Sequence, residues 1–340
     1  MMPIDNSGEN LIFLVSQPRA GSTLLQRVLA GHPEIHTTAE PWIMLPLLYS
    51  LRNEGIHTEY NQALAVSAVN DFLISIDMGK PAYLQATGAL AANIYQQACT
   101  KAGKTIFLDK TPRYYLILDE LYQLFPGAKF SLLFRHPLAV LHSILDTRVK
   151  GNWLLLQRYR LDLLSAPKNL ILAKNNFKHR TITINYEQFV KNPEHTAKQL
   201  FEFLNLSYSS SYLNYGGIAG RPAGQLGDQS TINRYSRPVT QRINRWHQLR
   251  EHPQTRHFAL EYLDQLGEST LAHMGYSANE AQQILKTDPQ KAQKLAIYWK
   301  DIFAEKSPYQ ERIFYSEFAL LEHRRLVFAV KKLLRRIGIS

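Results

Sequence analysis

A single cysteine, Cys99, stands in 340 residues. Disulfide frameworks need pairs of cysteines and cysteine-based zinc sites need several, so both are excluded, and the scarcity fits a reducing compartment. Long apolar runs are scarce as well. The longest, Trp42 to Leu51, is interrupted by Pro46 and falls short of the roughly 20 residues that cross a bilayer. Residues 1–10 are polar and lack the basic and apolar regions of a secretory signal, so a cytoplasmic protein is expected. Acidic residues are in deficit: 28 Asp and Glu stand against 39 Lys and Arg, a formal charge of +11. That balance favours an anionic partner without choosing among a polyphosphate-like ligand, nucleic acid and an acidic membrane surface. With 45% hydrophobic residues, the chain can fold as one large α/β domain or two small ones.

What is present reads first as alternation. Leu11 to Ser16 is a short apolar run of buried-strand length, and the apolar residues at 24, 25, 28 and 29 have helical spacing. Residues 61–102 read as mostly helical with a break at Pro81, followed by a strand at Thr105–Leu108. Further strands are expected at Lys129–Phe134 and Thr181–Asn185, and helices after Asp109-Lys110-Thr111-Pro112, from Pro137, and over Glu187–Leu204. Strands separated by helices predict an α/β protein: a P-loop-like three-layer fold with a central, mainly parallel sheet flanked by helices. Ligands of such sheets bind beyond the carboxyl ends of the strands. Residues 1–276 are expected to form this domain, with 207–237 as an irregular stretch. Residues 277–340 read as an all-helical C-terminal extension with 12 basic and 7 acidic residues.

The polar loop after the first strand is Pro18-Arg19-Ala20-Gly21-Ser22-Thr23. A loop that opens a helix presents backbone N–H groups and the positive end of the helix dipole, a natural anion cradle. Gly21 permits close approach, Ser22 and Thr23 offer hydroxyls, and Arg19 offers a positive fork. It is not a Walker A loop, because no Gly-Lys-Ser/Thr occurs. On its own it also reads as an ordinary N-capped turn. Arg135 ends another strand and Ser143 lies eight residues on, about 11 Å along a helix. The two can share a phosphate only if the chain bends back over the strand end; alone, they are equally a surface arginine beside a helical serine.

Together these motifs resemble the sulfotransferase family that uses 3′-phosphoadenosine 5′-phosphosulfate (PAPS), most of all tyrosylprotein sulfotransferases and related bacterial enzymes. His32-Pro33-Glu34, the acidic Glu40 and Asp109-Lys110-Thr111-Pro112 also match elements of that group, and the resemblance spans about residues 10–276. It implies transfer of a sulfuryl group from PAPS to an acceptor hydroxyl or amine, leaving adenosine 3′,5′-bisphosphate (PAP). It implies that Arg19, Ala20, Gly21, Ser22 and Thr23 hold the 5′-phosphosulfate, that Arg135 and Ser143 hold the 3′-phosphate, and that Tyr186 contacts the nucleotide. Glu40 would be the general base, with Lys110 and Arg19 stabilising the leaving phosphate. Ser230 would sit near the transferring group, the loop from Ser230 to Val239 would close over the nucleotide, and Arg245 would reach a phosphate. Arg148 lies one place beyond the family's second arginine, where Thr147 stands, and Ala20 replaces the usual loop serine. No metal is implied, because the arginines and the lysine supply the positive charge.

Two other readings stay open on the residues alone: a P-loop kinase acting on ATP and magnesium, or a non-catalytic nucleotide-binding scaffold. The expected acceptor is a small molecule, lipid or glycan, and nucleic acid is not an expected partner. Near the end of the chain, Leu326, Val330, Leu333 and Ile337 share a helical face opposite a basic one. Such a helix can dock on its own domain or a homodimer mate, or make a peripheral membrane contact. The segment Trp42–Leu51 can be core or can wall an acceptor pocket.

Overall fold

The computed structural model describes residues 7–217, 235–286 and 297–303. Its centre is β1 (Leu11–Ser16), buried at every residue. Because side chains alternate across a strand, Leu11, Phe13 and Val15 enter one core while Ile12 and Leu14 enter the other. A strand buried on both faces must be apolar throughout, which is why the sequence here shows a run and not an alternation. Around it lie β2 (Ile35–Thr37), β3 (Ile106–Asp109), β4 (Lys129–Phe134) and β5 (Thr181–Asn185), in the order β2-β3-β1-β4-β5. Every pairing is parallel, with Ile12 opposite Leu108, Leu14 opposite Ser131 and Phe134 opposite Asn185.

Two strands differ from the sequence reading. The strand expected at Thr105–Leu108 runs one residue later and ends on Asp109. The three-residue β2 was not anticipated; it is an edge strand, held by backbone pairing to β3 and by the Thr37 hydroxyl, which donates to the Leu108 carbonyl at 2.7 Å.

One core packs α1 (Ser22–Ala30), α6 (Pro137–Ile144), α9 (Pro193–Phe203) and α10 (Pro253–Leu266) against the sheet. The other packs α2 (Met44–Tyr49), α4 (Lys80–Ala102), α5 (Leu118–Leu124) and α7 (Arg160–Asn176). The stretch read as one broken helix is α3 (Gln62–Ser75) followed by α4, with Pro81 in α4's first turn, where a missing N–H costs nothing. Helix α8 (Tyr186–Lys191) follows β5 directly, and the one helix expected over Glu187–Leu204 is two, because Asn192 leaves the helix and Pro193 opens α9. Within α7, Pro167 removes a helical N–H that would bond the carbonyl of Leu163; the fully buried Tyr262 hydroxyl of α10 donates to that carbonyl instead, at 3.0 Å.

After α11 (Glu268–His273) come α12 (Ala278–Leu285) and α13 (Trp299–Phe303). Ala281, Leu285, Trp299, Ile302 and Phe303 join the first core, and the Trp299 ring stacks on Tyr262 at 5.7 Å. The described part of the expected extension therefore packs on the main body. The basic face read from Leu326 to Ile337 lies outside the described residues.

Candidate functional site

At the carboxyl end of β1 the chain turns sharply. Arg19 has φ 74° and Gly21 φ 101°, both left-handed, and Gly21 begins α1 with no side chain capping the helix. Among the described residues no side chain caps the first-turn N–H groups, which suits an external anion. A Cβ at Gly21 would lie 2.6 Å from the Tyr186 ring, so only glycine lets that ring seat on the loop. Ala20 is wholly buried in the core, so the methyl that replaces the usual serine packs inward.

Arg19 reaches across this turn, its Nε donating to the Ser143 hydroxyl at 3.1 Å. Arg135, at the end of β4, donates from one terminal nitrogen to the Arg19 carbonyl at 3.0 Å and from the other to the Arg242 carbonyl at 3.4 Å. Its guanidinium lies 4.2 Å from the centre of the Tyr186 ring. Its Nε is buried without a hydrogen-bond partner among the described residues, an orphan donor at the edge of the cleft. Arg135 and Ser143 are thus each bonded to Arg19, one at its carbonyl and the other at its side chain. Arg19 and Arg135 line one cleft of about 290 Å³, together with Gly21, Ser22, Thr23, Ser143 and Tyr186.

Arg148 lines the same cleft. The turn Leu145–Val149 is π-helical, closed by the Lys150 N–H donating to the Leu145 carbonyl at 2.9 Å. A π turn holds one residue more than an α turn, which brings residue 148 round to the cleft although its spacing in the sequence is one too long. Thr147 turns back instead, its hydroxyl donating to the Ser143 carbonyl at 2.6 Å.

Glu40 also lines the cleft, from the segment between β2 and α2. Lys110, just past β3 and 0% exposed, donates to Glu40 Oε1 at 2.9 Å. The Trp42 indole donates to Oε2 at 3.1 Å. Behind this pair Asp109 is buried and accepts from the hydroxyls of Tyr95 (2.7 Å), Thr111 (2.7 Å) and Tyr114 (3.0 Å). Burial pushes the Asp109 carboxyl up to about 6, against the hydroxyls and Lys110 that favour its charged form. The Tyr114 oxygen also accepts from the Met44 N–H at 3.1 Å, tying the segment that follows Glu40 to the residues after β3.

Sequence reasoning missed Arg113, Tyr159, Tyr215 and Arg242 as cleft residues. The segment from Trp42 divides: Met44, Leu45, Leu48 and Leu51 are core, while Trp42 lines the cleft. Tyr235 and Val239, from the expected covering loop, also line it. Arg245 is exposed and outside the cleft lining, where Arg242 stands instead. Ser230 lies outside the described residues.

A model of the sulfotransferase family matches residues 11–210. Nodulation protein NoeE of Sinorhizobium fredii is 37% identical over 137 residues, covering 40% of this chain and 31% of that one. Protein-tyrosine sulfotransferase 2 of Gallus gallus is 27% identical over 239 residues, 69% of this chain and 61% of that one. The chain thus spans less than two thirds of the length of either relative. Among solved structures, a sulfotransferase domain from the curacin biosynthetic pathway superposes with a TM-score of 0.50 at 21% identity, covering 72% of this chain and 90% of that one, a likeness of fold.

Proposed function

Because the chain belongs to the sulfotransferase family, we propose that it transfers the sulfuryl group of PAPS to an acceptor hydroxyl or amine and releases PAP. The observation that carries this reading is the shared cleft: Arg19, Arg135 and Glu40 all line it. The residues fit the nucleotide. The uncapped start of α1 and the glycine cradle under Tyr186 suit the 5′ end, and the orphan Nε of Arg135 suits a further phosphate oxygen. Ser143 and Arg148, on the same wall, would complete the 3′-phosphate site.

In this mechanism Glu40 accepts the proton of the acceptor while the acceptor oxygen or nitrogen bonds to sulfur. The sulfur–oxygen bond to the 5′-phosphate breaks on the opposite side, and its electron pair stays on the phosphate oxygen. The protein's part is placement and charge. Arg19 faces the phosphate; Lys110 adds positive charge behind Glu40 and fixes one of its oxygens. No described residue is required to form a covalent bond to substrate. The acceptor half is walled by Trp42, Arg113 and Tyr159, a polar and aromatic surface that suits a hydroxyl-bearing acceptor. The test is release of PAP from PAPS by the purified chain offered a panel of phenols, sugars and amines, with Glu40→Gln as control. Turnover lost in Glu40→Gln with PAP affinity kept supports the reading. Magnesium-dependent ATP turnover in its place contradicts it.

A further inference from the structure

Trp42 occupies a backbone position that a large residue avoids. Its φ is 58°, in the left-handed region, where glycine or asparagine would be unstrained. Strain of this kind persists only where the surroundings hold it, and here they do. The Trp42 N–H lies 3.5 Å from the Thr111 hydroxyl oxygen, and its carbonyl accepts from the Leu45 N–H at 3.3 Å. The side chain that results is gripped at both ends. Its indole N–H donates to Glu40 Oε2, and its ring faces the Arg113 guanidinium at 5.5 Å. Arg113 is itself fixed by Asp162 of α7, donating through Nε at 3.0 Å and a terminal nitrogen at 2.7 Å. Asp162 is 1% exposed and also accepts from the Tyr115 hydroxyl at 2.7 Å. A buried ion pair that receives this many hydrogen bonds is a stiff support.

We propose that Trp42 is a positioning residue for the base: with Lys110 on Oε1 and the Trp42 indole on Oε2, the carboxylate of Glu40 is held in one orientation, backed through Arg113 by Asp162. The proposal rests on Glu40 serving as the base. Two donors on opposite oxygens stop rotation of the carboxylate about its last bond, so the remaining lone pairs point in fixed directions. An acceptor hydroxyl then meets a preorganised base, and a free carboxylate would have to be ordered at each turnover.

The test has two parts. The chain holds four tryptophans, so its indole N–H resonances number four, and Trp42→Phe assigns one of them by removing it. Glu40→Gln, which takes the charge from the hydrogen-bond acceptor, should move that resonance upfield and leave the other three in place. Trp42→Phe keeps an aromatic ring beside Arg113 while removing the indole N–H together with part of the ring. With PAPS and tyramine as probe acceptor it should lose about tenfold to a hundredfold in kcat, with KM for PAPS and affinity for PAP unchanged. An unmoved Trp42 resonance in Glu40→Gln, or full kcat in Trp42→Phe, overturns the proposal. Full turnover in Glu40→Gln overturns instead the assignment of the base itself, so the two failures are told apart.

Discussion

Replacing Gly21 by alanine asks how tightly the first loop is built. Two costs follow from its geometry. An L-residue at φ 101° pays left-handed strain of about 1–2 kcal/mol, offset by roughly 0.4–1 kcal/mol of lost freedom in the unfolded chain. The new methyl would also sit 2.6 Å from two carbons of the Tyr186 ring. That ring is 5% exposed and has Arg135 4.2 Å from its centre, so it cannot withdraw without moving the guanidinium. Overpacking of this kind costs about 1–3 kcal/mol. The net loss should be about 2–4 kcal/mol, or roughly 5–15 °C in Tm at the slope expected of a large domain. Gly103→Ala is the internal control: its φ of 64° is also left-handed, but a Cβ there meets nothing within 4 Å. It should lose no more than about 1 kcal/mol and bind PAP as the parent does. Thermal unfolding and calorimetric titration with PAP read both variants. Gly21→Ala should weaken PAP at least about tenfold, since a single displaced charge-assisted hydrogen bond is enough to do so. Equal Tm losses and equal PAP affinities in the two variants would refute the claim that Tyr186 seats on the loop.

Other expectations follow from buried groups away from the loop. Tyr262→Phe strips the donor from the Leu163 carbonyl beside Pro167 and should cost about 1–3 kcal/mol in urea unfolding; an unchanged midpoint contradicts that role. Two groups give stability opposite pH slopes. Asp109, raised to about 6 from 3.8, binds its proton more tightly in the folded chain, so its contribution is fullest below pH 4 and is lost as pH rises to 6, by at most about 3 kcal/mol. His136, lowered to about 3 from 6.5 by burial, His247 and Arg135, contributes fully above pH 6.5 and loses stability as pH falls towards 3, by at most about 5 kcal/mol. Unfolding free energies from pH 4 to 6.5 should therefore rise with pH more steeply in Asp109→Asn than in the parent, and less steeply in His136→Asn; parallel curves refute both assignments. Lys110→Met leaves Glu40 without its buried partner and should abolish PAPS turnover while PAP affinity changes little; retained turnover contradicts the pairing at 2.9 Å.

How much of this was legible depends on the range over which each feature is determined. β1 and β4 could be read as apolar runs, because a strand covered on both faces is largely apolar over its length, and β5 by its alternation, Thr181-Ile182-Thr183-Ile184. β2 could not: Ile35-His36-Thr37 is too short to show a period, and the Leu108 carbonyl that holds Thr37 comes 71 residues later. Arg19 and Gly21 stood out by their loop, while Arg135, Ser143 and Glu40 gained a role only through the resemblance; all five line one cleft. Arg113 carries a faint signal, an arginine directly after Thr111-Pro112, but its orientation is set by Asp162, 49 residues on. Trp42 read as part of an apolar run because its backbone conformation, which turns it to the cleft, leaves no mark on composition. The offset at Arg148 looked like a mismatch until the π turn supplied the extra residue. The proline inside α7 gave no warning either, since the hydroxyl that compensates it lies in α10.

The central claim is that Arg19 and Arg135 grip one doubly phosphorylated adenosine. Calorimetric titration of the parent chain, Arg19→Ala and Arg135→Ala with PAP and with adenosine 5′-monophosphate tests it most directly. The account predicts that the parent prefers PAP, that each substitution weakens PAP by about tenfold to a hundredfold, and that only Arg135→Ala abolishes the preference for the 3′-phosphate. A parent that binds the two nucleotides equally, or an Arg135→Ala variant that keeps the preference, would contradict it.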